Sequence, residues 1–158
     1  MGLTDIDLSQ RFCVSDYIVN DIFQSWINYM YFTLGSLNIW PNRSIILENA
    51  PSEFLEKYPD TIVIIDGVEI KIETPSALQQ HSGTYSTYKS HTTLKSLIGV
   101  DPKGGIMFVF QLYAGSVSDN QIVIRSGFLE LLNKKLQAGE IKEGDTIMAE
   151  KGFEIQMT

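Results

Sequence analysis

The sequence predicts an α/β fold with its helices first and its sheet after them. Three observations carry this reading: apolar residues recur with a helical period over residues 15–35, a β-branched run fills residues 61–72, and turn signals divide the remainder into strand, strand, helix and strand. The length agrees. With 158 residues, 44% hydrophobic and 20% charged, the chain can bury one sizeable core as a single domain with a short appendage.

The first element is a long amphipathic helix. From Ser15, the residues Ile18, Val19, Ile22, Phe23, Trp26, Ile27, Met30, Tyr31 and Leu34 repeat one helical face, with Ser15 as N-cap and Gly35 as a stop. Upstream, Leu8 to Phe12 predicts a short helix joined through Cys13 and Val14. The pair is either a plain helical hairpin or part of a helix-turn-helix. Asp16, Tyr17, Asn20 and Asp21 open the outer side of the second helix, where two carboxylates would meet phosphates unfavourably. Residues 22–42 carry no charge and are long enough for a bilayer, but Gln24, Ser25, Asn28, Thr33, Ser36, Asn38, Gly35 and Pro41 argue against a membrane span. Prolines 41, 51 and 59 then divide a connector, with a short helix expected near Pro51.

Thr61 opens a strand that runs to Ile72 and is interrupted by Asp66. If it continues, Ile64, Asp66 and Val68 share one face while Ile65, Gly67 and Glu69 share the other. The alternative ends the strand at Ile65 and makes Asp66-Gly67 a hairpin turn. An unpaired buried carboxylate is costly, so a strand-borne Asp66 needs a cation, donors or an open cleft. After a polar loop, His91–Val100 and Gly105–Tyr113 read as an antiparallel pair turned by Asp101-Pro-Lys-Gly-Gly. The small-residue loop from Ala114 offers Ser118 or Asp119 as a helix cap. Residues 121–136 predict one or two helices with Gly127 as the weak point, and Asp145–Glu150 predicts a last strand before the turn at Lys151-Gly152.

Charge limits the functions open to such a chain. Twelve basic and nineteen acidic side chains give a net charge of −7, so nothing attracts a phosphate backbone in general and a nucleic-acid role must rest on a local site. Residues 1–60 contribute three basic and eight acidic side chains, a net of −5. The single Cys13 cannot form an intramolecular disulfide, and Asp5 and Asp7 stand where a secretory signal carries positive charge. These features predict an intracellular chain. His81 and His91 lack the spacing of a zinc site.

Six segments, taken together and in order, resemble one family. They are Arg11-Phe12 with Val14-Ser15; Tyr58-Pro59; Ile64-Ile65-Asp66-Gly67-Val68-Glu69-Ile70; Tyr85-Ser86-Thr87-Tyr88-Lys89-Ser90-His91; Gly115-Ser116-Val117-Ser118-Asp119; and Met148-Ala149-Glu150-Lys151-Gly152-Phe153. The chain resembles the RNase H-like DDE superfamily endonucleases, specifically the PIF/Harbinger-like transposases and their relatives. The resemblance implies a helical segment at 1–60, similar to part of a helix-turn-helix plus a connector, and an RNase H-like DDE domain with an incomplete mixed sheet at 61–158. It further implies cutting and joining of DNA, with carboxylates holding two Mg²⁺ or Mn²⁺ ions, which prefer oxygen ligands.

By resemblance Asp66 is the first catalytic and metal-binding acid and Glu150 stands at the second position, where the family usually has aspartate. The added methylene moves that carboxylate by about a bond length, and active sites lose activity at misplacements of about 1 Å. Asp119 resembles a loop acid that either joins the metal site or caps a helix. The resemblance also places Lys89, His91 and Lys95 on or beside the second strand, where they line the site and touch phosphate or, for the two lysines, are plain solvated surface. The third acid has no counterpart before Thr158 and the helix-turn-helix begins late, so the sequence reads as truncated and inactive. The resemblance implies DNA as partner and the nucleus as location. The alternative is a non-catalytic module that binds protein or DNA, or that forms a homo-oligomer.

Overall fold

The structure is a computed structural model that describes residues 2–87 and 89–153, so Tyr88 of the fourth quoted segment lies outside the described residues. The chain forms two compact units that meet in sequence between Asn38 and Ile39.

The first unit is the helical pair. Helix α1 spans Asp5–Phe12 and helix α2 spans Asp16–Gly35. The first helix begins a turn earlier than its apolar residues suggest, because Thr4 and Asp7 form a capping box. The Thr4 hydroxyl accepts from the Asp7 amide at 3.2 Å and the Asp7 carboxylate accepts from the Thr4 amide at 3.1 Å. Cys13 ends the helix in a left-handed conformation, φ 54° and ψ 42°, with its N–H donating to the Ser9 carbonyl. Ser15 caps α2 as the sequence predicts, its hydroxyl accepting from the Ile18 amide. No helix among the described residues is long and apolar enough to cross a membrane.

The second unit begins with α3 (Arg43–Asn49) and α4 (Ser52–Lys57). Helix α4 follows Pro51 as expected, whereas α3 falls where the sequence suggests only a connector. A long-range ion pair gives α3 its anchor: the Arg43 Nε lies 2.8 Å from Asp145 Oδ1 and 2.9 Å from Oδ2. That carboxylate is almost fully buried and also accepts from the Lys142 amide.

The sheet and its helices follow in order: β1 (Thr61–Lys71), α5 (Leu78–Thr84), β2 (Tyr85–Ser86), β3 (His91–Val100), β4 (Ile106–Val109), β5 (Tyr113–Ala114), α6 (Asp119–Arg125), α7 (Phe128–Gln137) and β6 (Thr146–Ala149). The polar loop after β1 therefore holds a short helix that the sequence does not announce. Strand β1 runs through Asp66-Gly67 without turning. Asp66 pairs with Ile98 and Gly67 with Leu97, which excludes the hairpin alternative. It lies antiparallel to β3 on one side and parallel to β6 on the other. Strand β3 also pairs in turn with β2, β5 and β4, completing a six-stranded mixed sheet. The mixed α/β class is the one the sequence predicts, and the arrangement is consistent with a partial RNase H-like domain.

Local chemistry fixes the connections. Asp101 Oδ1 accepts from the amides of Lys103 and Gly105, both at 2.8 Å, which closes the turn between β3 and β4. Gly127, at φ 78°, separates α6 from α7 where the sequence places its weak point. The core joins the sheet to those helices through Ile62, Val63, Ile65, Leu97, Met107, Ile122, Val123, Phe128 and Leu132. At one end Phe108 stacks on Trp40 and meets Phe110 and Phe128 at centroid distances of 5.8, 4.9 and 5.2 Å.

Candidate active site

Burial along β1 alternates after Ile64 and separates two environments. Ile65 is buried and Gly67 and Glu69 are half-buried, while Asp66, Val68 and Ile70 are exposed. Asp66 thus meets the open side of the sheet, which relieves the desolvation cost of a carboxylate in a strand. Its Oδ1 accepts from the following Gly67 amide at 2.7 Å. The parallel register of β1 with β6 pairs Ile64 with Met148 and Ile65 with Ala149. Asp66 follows Ile65 within β1 and Glu150 follows the last residue of β6, so these two exposed acids come directly after a registered pair.

Asp119 belongs to the other environment. Ser118, not Asp119, caps α6, and its hydroxyl accepts from the Gln121 amide. The Asp119 carboxylate is turned instead onto Gly67: a Cβ at that glycine would lie 3.1 Å from Oδ1. Because β1 pairs with β3 without a shift from Ile64 to Lys71, Asp66 and Gly67 face opposite sides. Asp119 is therefore on the side away from Asp66.

On that inner side three charges meet. Lys95 Nζ lies 3.4 Å from Glu69 Oε1 and 3.5 Å from Asp119 Oδ1, and the Lys95 and Glu69 side chains are each only 10% exposed. Register brings them together, since Glu69 and Lys95 are paired residues of β1 and β3. The Thr93 hydroxyl donates to Glu69 Oε2 at 2.8 Å. Burial works to raise the Glu69 pKa, but the hydrogen bonds from Thr93 and Ser86 and the Lys95 charge outweigh it, and the carboxyl sits below its ordinary value.

Lys89 and His91, the other two residues expected at phosphate, are exposed where β2 passes to β3. Ser86 accepts from the Lys89 amide and pairs with His91. Lys95, four residues further along β3, points inward to its two carboxylates. The structure thus joins Lys95 to Asp119 and puts Asp66 and Glu150 directly after one registered pair of β1 and β6, but does not unite the two groups. Sequence reasoning gave Glu69, Thr93 and Ser86 no role at the site. Glu69 was legible as an inward-facing acid, but its partner emerges only from the strand register.

Comparison with known proteins decides the family. A family model described as DDE superfamily endonuclease matches residues 65–158, more than half of the chain. The chain belongs to the DDE superfamily endonucleases. No curated protein and no solved structure matches it.

The matched region of this DDE-superfamily chain contains Asp66, Asp119 and Glu150 and extends over β3 and β6. Divalent ions are usual in the family, and they require several oxygen donors gathered in one place. Asp66 and Glu150 supply exposed oxygen donors of the hard type that Mg²⁺ and Mn²⁺ prefer. Yet among the described residues no three His, Cys, Asp or Glu side chains gather as a metal site. Asp119 already faces an ammonium. The described residues therefore do not fit a two-ion cluster, whose ions must be held and bridged by several carboxylates.

Proposed function

We propose that this chain is a transposase-derived DDE domain of the PIF/Harbinger-like type that no longer cuts DNA. Asp66 and Glu150 are its remaining catalytic-type pair and the seat of any Mg²⁺ or Mn²⁺. The observation that supports the reading is that both acids come directly after the registered pair Ile65 and Ala149 of the parallel strands β1 and β6, in a region matched by the endonuclease family. Silence is argued from the donor set: the third nearby acid, Asp119, lies on the other side of β1 and is paired with Lys95. The longer glutamate at position 150 adds a displacement of the size that costs activity. DNA is the proposed partner and the nucleus the proposed location. Lys89 and His91 are the exposed groups proposed to meet phosphate, with Lys95 withdrawn from that role by its ion pairs.

The decisive assay is nicking of supercoiled plasmid in Mg²⁺ or Mn²⁺. The expected result is no nicking above buffer by the full chain, with Asp66→Ala indistinguishable from it. Metal-dependent nicking that disappears in Asp66→Ala would overturn the proposed silence and restore an active nuclease.

A second reading, a non-catalytic interaction module, is favoured by α2. Ile22, Phe23, Trp26, Tyr29, Met30 and Leu34 are all exposed on that helix. A retained apolar surface of this kind suits association with protein better than DNA binding.

A further inference from the structure

We infer that Lys95 is a resident cation, which holds Glu69 and Asp119 in place and removes them from divalent-metal binding. Two carboxylates facing one space repel each other unless a cation lies between them. Here that cation is an ammonium carried by the chain itself, 3.4 Å from Glu69 and 3.5 Å from Asp119. The Lys95 side chain is only 10% exposed, so the ammonium has little solvent to pair with other than these two carboxylates. The Thr93 hydroxyl adds a donor to Glu69 and fixes the carboxylate from the other side.

The same contacts dock a helix. Glu69 is on β1, Lys95 on β3 and Asp119 in the first turn of α6, so the lysine ties that helix to both strands. Gly67 leaves room for this approach, since a Cβ there would press on the Asp119 carboxylate. Asp119 is still 40% exposed at its side chain. A small cation can therefore enter from solvent once the ammonium is gone. Oxygen donors from two carboxylates are the chemistry that Mn²⁺ and Mg²⁺ accept. The inference rests on the ion triad, and does not require that the domain bind or cut DNA.

Thermal unfolding of the full chain with MnCl₂ or with EDTA tests it. Measured in an Asp66→Ala background, which removes any ion at that residue and Glu150, the chain with Lys95 intact should unfold at the same temperature in both. Lys95→Met should unfold several degrees lower in EDTA and recover at least about 3 °C with Mn²⁺, a shift well above measurement scatter. The recovery should vanish in Lys95→Met with Asp119→Asn. Ions at Asp66 and Glu150 are told apart by a background: their effect disappears in Asp66→Ala and survives Asp119→Asn. A wild-type Mn²⁺ shift abolished by Asp119→Asn would overturn the inference, as would a Lys95→Met protein indifferent to Mn²⁺. If Lys95→Met does not fold, Lys95→Gln replaces it. Failure of both to fold even with Mn²⁺ also overturns the inference, because no ion then substitutes for the lysine.

Discussion

Two residues carry costs and gains that single substitutions can read. Glu69 has a pKa held below its ordinary value, because the hydrogen bonds and the lysine outweigh its burial. A carboxylate whose folded pKa is depressed stabilises the fold at pH values above its unfolded pKa, about 4.3. That contribution fades as pH falls through the folded value. Glu69→Gln should therefore lower the melting temperature at pH 7, with the two proteins converging in acid below about pH 4. A difference that stays constant down to that pH would remove Glu69 as the titrating group. Cys13 is the second case, a non-glycine residue at φ 54° in the helical turn. The left-handed conformation costs an L-residue about 1 kcal/mol, which glycine does not pay. Cys13→Gly should raise stability by about 0.5–1 kcal/mol in urea denaturation, and a loss of stability would show that the thiol makes a compensating contact.

At the scale of elements, the tie between α3 and the entry to β6 makes the clearest prediction. Asp145 is almost fully buried, and removing it leaves the Arg43 guanidinium and the Lys142 amide without their acceptor. Arg43 is partly exposed and can rehydrate, so Asp145→Ala should cost about 2 kcal/mol rather than the full penalty of a buried pair. Urea denaturation measures it, and a cost below about 0.5 kcal/mol would mean that α3 is held by packing alone. This tie also shows why some elements were legible and others were not. Helix α2, strands β1 and β3, the break at Gly127 and strand β6 announce themselves through periodicity, β-branching and glycine, which are local signals. Helix α3 depends on an acid about a hundred residues away, and β5 on two residues that acquire meaning only beside Leu94 and Lys95. The candidate site divides in the same manner. The motifs mark Asp66, Glu150 and Asp119 only as acids of the family's type, whereas the meeting of Asp119 with Lys95 depends on the docking of α6 against the sheet, which a single sequence does not display.

At the scale of the whole molecule, charge and apolar exposure act in different directions. A net charge of −7 opposes general binding to DNA, so any affinity must be concentrated near exposed groups such as Lys89 and His91. Residues 22–42 carry no charge at all, and within them α2 exposes Ile22, Phe23, Trp26, Ile27, Tyr29, Met30, Tyr31, Phe32 and Leu34. The ones that share a face, Ile22, Phe23, Trp26, Ile27, Met30 and Leu34, offer on the order of 500 Å², a large part of the roughly 800 Å² that one partner buries in a stable protein interface. The flanking charges of the unit are mainly acidic, with Asp5, Asp7, Asp16 and Asp21 against Arg11, which disfavours anionic lipid and nucleic acid as the covering surface. A second copy of the chain supplies the same uncharged apolar stretch, residues 22–42, in a self-complementary pairing, and an antiparallel arrangement keeps the acidic ends of the two helices apart. Sedimentation velocity of the full chain should therefore show a dimer at micromolar concentration. Trp26→Glu places a carboxylate in the middle of that face and should return the chain to a monomer, with the far-ultraviolet circular dichroism of the fold preserved. A wild-type chain that sediments as a monomer across the concentration range would withdraw self-association from α2.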